Sequence, residues 1–290
     1  MKTVGILARP DLDQAGPLLE ELVAWLKARG LVACIEERTA ALQPALAQRE
    51  CALPGAEVAR RADVLIVLGG DGTLLAASHL LDERPVPVLG VNFGHLGFLT
   101  EITLPELYTA LEAVLAGRYD YVERRMLRAL VRREGEPDVS SDVLNDVVVT
   151  KAALSRIIEL EVWVDGLFVS SFRADGLIVS SPTGSTAYNL AAGGPILHSL
   201  LPAMVLTPIC PHMLTNRPLV IGDEATVELR LRHAAEGEAH LTLDGQHGGF
   251  PLSGRDSVRI TRSPRTVRLV KAPGRDYYEV LRTKLKWGER

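Results

Sequence analysis

Two textures of apolar and polar positions divide this chain near residue 118. Before it, apolar runs alternate with stretches of helical spacing. Thr3–Ala8, Leu31–Ile35, Val64–Leu68 and Val86–Val91 are predominantly apolar, which predicts strands covered on both faces, as in a parallel sheet. Ala15–Ala28 carries Leu18, Leu19, Leu22, Val23 and Leu26 at helical spacing and is followed by Gly30, a helix-ending residue. Pro105–Leu115 repeats the spacing with Leu107, Leu111, Val114 and Leu115. This alternation predicts a doubly wound α/β layer.

After Arg118 the runs shorten and alternate. Ile157–Val164 reads Ile-Ile-Glu-Leu-Glu-Val-Trp-Val, a half-buried strand. Asp165-Gly166 then predicts a two-residue hairpin turn into Leu167–Phe172. Leu177–Val179, Ala203–Leu206, Thr226–Leu231, Leu241–Leu243, Val258–Ile260 and Val267–Val270 continue the pattern, and together they predict a β-sandwich. From Tyr277 to Trp287 helical spacing returns through Val280, Leu281 and Leu285. The expected organisation is an α/β domain over 1–118, rejoined by 274–290, and a β-sandwich domain over 119–273. No internal repeat or low-complexity segment interrupts it.

The strand Val64–Leu68 runs directly into Gly69-Gly70-Asp71-Gly72-Thr73 and then Leu74-Leu75-Ala76-Ala77. This is a strand, a glycine turn and a helix start. Glycine lets a ligand approach the backbone closely, and a helix N-terminus offers unpaired N–H groups that favour phosphate. Asp71 is the lone carboxylate in that turn. The combination points to phosphoryl transfer, with amides holding the donor and the acid orienting the acceptor hydroxyl. A plain connecting turn is the alternative, but it needs fewer glycines. The loop is neither a Walker A loop nor the dinucleotide G-x-G-x-x-G.

Composition narrows the field. The chain has 290 residues, 47% hydrophobic and 23% charged, with a net charge of −4. That is enough for two cored domains, and it gives no basic field for nucleic acid or membrane. The arginines Arg124, Arg125, Arg128, Arg132 and Arg133 read as a solvated strand face. The three cysteines, Cys34, Cys51 and Cys210, are widely spaced and form neither a disulfide framework nor a zinc site. The seven histidines show no ligand spacing. No signal-peptide segment or membrane-length run is present, so the cytoplasm is the expected compartment.

Further polar groups break apolar runs. Asn145-Asp146 lies between Val143-Leu144 and Val147-Val148-Val149. The pair either binds ribose hydroxyls or a base, or forms a bulge or turn; nothing local decides. Asp175-Gly176 leads a buried strand into Ser180-Ser181-Pro182-Thr183-Gly184-Ser185-Thr186-Ala187-Tyr188-Asn189. That loop has more hydroxyls than a helix cap requires, which favours ligand contact, and Tyr188 is suited to stack on a ring. Asp244-Gly245 reads locally as another hairpin turn, and His95 as structural.

Taken together, these motifs resemble the NAD kinase family. The matching pieces are Gly69-Gly70-Asp71-Gly72-Thr73, Asn92-Phe93-Gly94-His95-Leu96-Gly97-Phe98, Leu144-Asn145-Asp146, Asp175-Gly176, Ser181 through Tyr188, Ala192-Gly193-Gly194-Pro195, Asp244-Gly245-Gln246 and Leu285-Lys286-Trp287-Gly288. They run over nearly the whole chain in order. The glycine loop alone is shared with lipid kinases; the loop ending at Tyr188 is much more specific.

The resemblance implies transfer of a phosphoryl group from ATP or polyphosphate to the 2′-hydroxyl of NAD's adenosine ribose. Asp71 would take the hydroxyl proton, with Gly72 beside it. Asn145 and Asp146 would hold adenine and ribose. Thr186, Ala187, Tyr188, Asn189, Leu190 and Ala191 would line the adenine and nicotinamide ends. Asp175 and Gln246 would complete the pocket, and Arg173 and Arg156 would lie near phosphates. A divalent cation, Mg²⁺, would travel with the nucleotide, and the protein itself is expected to provide no metal cluster. The family implies a homo-oligomer, tetramer or dimer, with sites shared between subunits. Family members usually have Glu where this chain has Asp146, so the acid is kept one methylene shorter. Two alternatives are a lipid kinase, for which no basic amphipathic helix is found, and a non-catalytic dinucleotide sensor.

Overall fold

The computed structural model describes residues 1–12, 14–47, 52–94, 96–152, 157–232, 237–245 and 249–287. The chain divides into two compact units, Met1–Glu123 with Val267–Arg290, and Arg124–Thr266.

In the first unit, β1 (Thr3–Ala8), α1 (Ala15–Ala28), β2 (Val32–Glu36), β3 (Ala52–Leu53), α2 (Gly55–Arg61), β4 (Val64–Leu68), α3 (Asp71–Ser78) and β5 (Pro87–Asn92) follow in order. β6 (Ile102–Thr103) and α4 (Leu107–Leu115) complete the run. The sheet is parallel, ordered β3-β2-β1-β4-β5. Its central strand explains its sequence: all five residues of Val64–Leu68 are fully buried, because both faces are covered. On α1, Leu19, Leu22, Val23 and Leu26 turn inward at helical spacing, each contributing about 1.5–3 kcal/mol on burial. The helix ends as Gly30 predicts. Gly30 takes φ +69°, its N–H donates to Lys27 O, and Leu31 N–H reaches back to Leu26 O, a Schellman closure.

Strand order reverses between β1 and β4, so the loops after them diverge and leave a crevice at the strands' carboxyl ends.

The second unit contains most of β7 (Tyr121–Arg132), then β8 (Val139–Val143), β9 (Asp146–Lys151), β10 (Ile158–Val164), β11 (Leu167–Ala174), β12 (Gly176–Ser180), β13 (Ala203–Ile209), β14 (Leu219–Gly222), β15 (Val227–Leu231), β16 (Ala239–Leu243) and β17 (Gly249–Leu252), with much of β18 (Ser257–Val270). One antiparallel sheet is ordered β14-β13-β12-β9-β16-β17. A second joins β11, β10, β15 and β18 antiparallel. Val162, Leu229 and Ile260 from one pack with Val149, Leu177 and Leu241 from the other, giving the expected sandwich core. The last stretch of β18 runs parallel to β5 within the first unit. There α5 (Tyr277–Leu285) begins at the cap Asp276, which accepts from Glu279 N–H. Arg275 anchors this segment, pairing with Glu106 through two contacts at 2.9 and 3.1 Å.

The hairpin at Asp165-Gly166 is as expected: φ is +50° and +79°, and Val164 pairs with Leu167, the geometry of a type I′ turn.

The arginines of β7 divide: Arg132 is exposed as expected, while Arg124, Arg125 and Arg128 correct the sequence reading. Arg124 is 4% exposed. Arg128 forks onto the buried Asp142 at 2.8 and 2.9 Å, and Arg125 pairs with Asp223 at 2.5 Å. Burial of a guanidinium is tolerated where a carboxylate meets it.

Candidate active site

The crevice of the first unit holds a cleft of about 620 Å³. The loop after β1 contributes Arg9, Asp11, Leu12 and Gln14; the loop after β4 contributes Gly69, Gly70 and Asp71; the segment after β5 contributes Phe93, Gly94 and Gly97. Lys284 reaches it from α5. Arg9 forms an ion pair with Asp11 at 2.7 Å.

The glycine turn is shaped as its composition predicts. Gly69 has φ +157°, and a side chain there would overlap Thr73. Gly70 caps α3, and Asp71 opens that helix. Among the described residues, and setting aside the turn's own neighbouring backbone, nothing lies within 4 Å of a Cβ built at Gly70 or Gly72, so a ligand can approach the turn closely there.

Asp71 is held more tightly than the sequence suggests. Oδ2 accepts from Phe98 N–H at 2.8 Å. Oδ1 accepts from Leu99 N–H at 3.0 Å, Thr100 N–H at 3.1 Å and the Thr100 hydroxyl at 3.0 Å. Thr100 is fully buried, and its Oγ1 in turn accepts from Asn92 Nδ2 at 2.9 Å. A side chain at Gly97 would overlap both Asp71 Oδ1 and Thr100 Oγ1, which is why glycine stands there.

In the second unit, Asn145 and Asp146 stand where the chain turns from β8 into β9. The Asp244 carboxylate fixes this turn, accepting from Leu144 N–H at 2.7 Å, Asn145 N–H at 2.7 Å and Asp146 N–H at 3.0 Å. Asp244-Gly245 is the expected turn, with φ +48° and +73°. The reading as a turn alone missed the carboxylate, which is buried and spent on three amides. The loop after β12 lies against the same place: Ser181 N–H donates to Asn145 O at 2.8 Å, and the Ser181 hydroxyl donates to Leu144 O at 2.5 Å. Asp146 is 4% exposed. Burial, reinforced by the negative charge of Asp244, pushes its carboxyl up to about 7.

Thr186, Ala187 and Leu190 border this loop half-buried, Tyr188 is 44% exposed, and Ala191 is exposed. The Asn189 side chain is turned inward. It is fully buried, with Nδ2 donating to Ser185 O and Pro195 O at 2.9 and 3.0 Å and Oδ1 accepting from Thr207 at 2.6 Å. Its amide staples the loop, with both Nδ2 protons engaged.

Arg173 and Asp175 are not brought to the Asp146 turn. On the β9–β12 pair, Ser180 faces Asp146 at one end and Gly176 faces Thr150 at the other. Asp175 therefore stands about 13 Å or more from Asp146 along the strand. It lies near Lys151 Nζ at 3.8 Å, while Arg173 is exposed. Arg156, Gln246 and His95 lie outside the described residues.

Nothing local marks Thr100, a single threonine beside an apolar loop, or Asn92 as its partner. Among the described residues no group of three metal-ligating side chains occurs, and no helix is long and apolar enough to cross a membrane.

An acid-bearing glycine turn at the carboxyl edge of a parallel sheet defines a nucleotide-handling phosphotransferase class of site. Comparison with known proteins specifies it. The ATP-NAD kinase N-terminal domain model matches residues 4–119, and the C-terminal domain model matches 144–272. An NAD kinase of Citrifermentans bemidjiense is 51% identical over 290 residues, covering all of both chains. One from Geobacter sulfurreducens is 49% identical with the same coverage. In fold, the chain is similar to a yeast NADH kinase solved with NADH (TM-score 0.89, 23% identity, all of this chain and 89% of that one). It is also similar to an Archaeoglobus fulgidus NAD kinase solved with ATP (TM-score 0.73, 24% identity, 98% and 99%). The chain belongs to the ATP-NAD kinase family and is an enzyme that phosphorylates NAD.

Proposed function

We propose that Asp71 takes the proton of the 2′-hydroxyl of NAD's adenosine ribose as that oxygen attacks the terminal phosphorus of ATP. The observation that carries this reading is the fixed Asp71 carboxylate at the lip of the glycine-lined cleft. A ribose hydroxyl is far too weak an acid to be ionised beforehand by a carboxylate, so proton transfer accompanies formation of the P–O bond. The open amides at Gly70 and Gly72 suit donor phosphates, as do the cationic groups of Arg9 and Lys284. A divalent cation, Mg²⁺, carried in by the nucleotide would neutralise part of the donor's negative charge.

Asn145 and Asp146 hold the adenosine, and Tyr188 stacks on a ring, with Thr186, Ala187, Leu190 and Ala191 beside it. Arg173 and Asp175, set at the other end of their strand, serve the site of a neighbouring subunit in a homotetramer or homodimer. The exposed apolar hairpin residues Leu167, Phe168 and Val169 support subunit contact there. Arg156 and Gln246 keep the roles the family resemblance gives them. The cytoplasm is the compartment that matches this substrate.

The test is incubation with NAD, ATP and Mg²⁺, with the product read by an NADP-specific dehydrogenase. Phosphorylation is expected with NAD and not with its 2′-deoxy analogue. Equal phosphate incorporation into the deoxy analogue would place the reaction at another hydroxyl.

A further inference from the structure

We infer that Asn92 and Thr100 form a directional hydrogen-bond relay that makes Oδ2 of Asp71 the proton-accepting atom. The inference rests on the assignment of Asp71 as the base and specifies which atom acts and what holds it.

The direction of each bond follows from chemistry. Gly94 N–H can only donate, and it lies 2.8 Å from Asn92 Oδ1. That fixes the Asn92 amide with Nδ2 turned to Thr100, where it donates to Oγ1 at 2.9 Å. With Nδ2 supplying one proton to Oγ1, the hydroxyl's own proton is directed onto Asp71 Oδ1, 3.0 Å away. Oδ1 thus receives three donors: this hydroxyl and the N–H groups of Leu99 and Thr100. Oδ2 receives one, Phe98 N–H, among the described residues.

A carboxylate oxygen offers about two lone pairs, so Oδ1 is saturated and Oδ2 has capacity left. A proton placed on Oδ1 would face three donor hydrogens. Placed on Oδ2, it leaves those bonds intact. In the reaction, the 2′-O–H bond breaks and its proton goes to Oδ2. The 2′-oxygen bonds to the γ-phosphorus, and the bond from that phosphorus to the β–γ bridging oxygen breaks, releasing ADP. Thr100 is buried and acts through Asp71, and Asn92, at the cleft lining, acts through Thr100; both are positioning residues. Valine keeps the branched shape of threonine and lacks the hydroxyl.

The experiment measures kcat, NAD KM and NAD dissociation constants for Thr100→Val, Thr100→Ser and Asp71→Asn. Thr100→Val is expected to lower kcat about ten- to hundredfold, the effect of removing one donor to a charged acceptor, with NAD binding within about threefold. Thr100→Ser, which restores the hydroxyl, is expected to stay within about threefold of wild type in both. If Thr100→Val keeps full turnover while Asp71→Asn has lost it, the relay is wrong and the base assignment survives. If Asp71→Asn keeps full turnover, the base assignment falls and the relay with it. A loss in Thr100→Val borne by NAD binding instead of kcat would also overturn the relay. Should Thr100→Val fail to fold, Asn92→Asp is read by the same criteria. It keeps the size but replaces the donor with an acceptor, drawing the Thr100 hydroxyl away from Asp71.

Discussion

Removing the charge of Asp146 should stabilise the ligand-free protein, and by an amount that depends on pH. The carboxyl is buried beside Asp244, whose own charge is engaged by three backbone amides, and it titrates near 7 against an ordinary 3.8. Each unit of that displacement is worth about 1.4 kcal/mol. Between pH 3.8 and 7 the folded protein holds a proton that the unfolded chain has released. Stability therefore falls as pH rises through this window, and above 7 the full cost of about 4 kcal/mol is present. At pH 5 the cost is only about 2 kcal/mol, and it vanishes below about 3.8. Asp146→Asn, close in size and uncharged, escapes all of it. The carboxyls of Asp63, Glu106 and Asp142 are held below their usual range by hydrogen bonds and neighbouring arginines, so they cost stability on acidification. They do so in both proteins and cancel in the difference. The assay is thermal unfolding of wild type and variant at pH 5, 6, 7 and 8, at one protein concentration and without nucleotide. With about 2–4 °C per kcal/mol, the variant should melt about 8–16 °C higher at pH 8, with roughly half that advantage at pH 5. A wild type that matches the variant at pH 8, or a difference that does not change with pH, would refute the reasoning.

Four other outcomes are expected. Asp146→Ala should raise NAD KM with little loss of kcat, while Asp146→Glu stays active; steady-state kinetics decides. Asp244→Ala strands three buried amides, so it should destabilise by about 2–4 kcal/mol and raise NAD KM, seen in urea titrations and kinetics together. Lys284→Ala, at the cleft lining, should raise ATP KM about three- to tenfold and leave NAD KM alone. Co-assembled Asp71→Asn and Asp175→Ala subunits should recover part of the activity that each lacks alone; a mixed oligomer without recovery would remove the shared-site proposal.

Much of this was legible in the chain because local chemistry decided it. The buried strand Val64–Leu68, the glycine turn with Asp71 and the Asp165-Gly166 hairpin each declare themselves within a few residues. What was not legible depends on partners far along the chain. Arg125 looks solvated until Asp223 is seen 98 residues away, and Asp244 looks like a turn until the amides of 144–146 close on it. Asn189 carries the right chemistry for a ligand, and its engagement with Thr207 and the backbone of Ser185 and Pro195 could not be read from its neighbours in sequence. Thr100 is the extreme case: an ordinary residue in an apolar loop, given meaning only by Asp71, which lies 29 residues earlier. The unit junctions fall inside strands β7 and β18, where the strand pattern runs on without a break.

The central claim is that Asp71 accepts the proton of the 2′-hydroxyl without being needed to bind NAD. Single-turnover kinetics of Asp71→Asn with saturating ATP and Mg²⁺, alongside calorimetric NAD binding, tests it most directly. The chemical step should slow by about two to four orders of magnitude, with the NAD dissociation constant within several-fold of wild type. An unchanged chemical step, or a loss explained wholly by weaker NAD binding, would contradict the account.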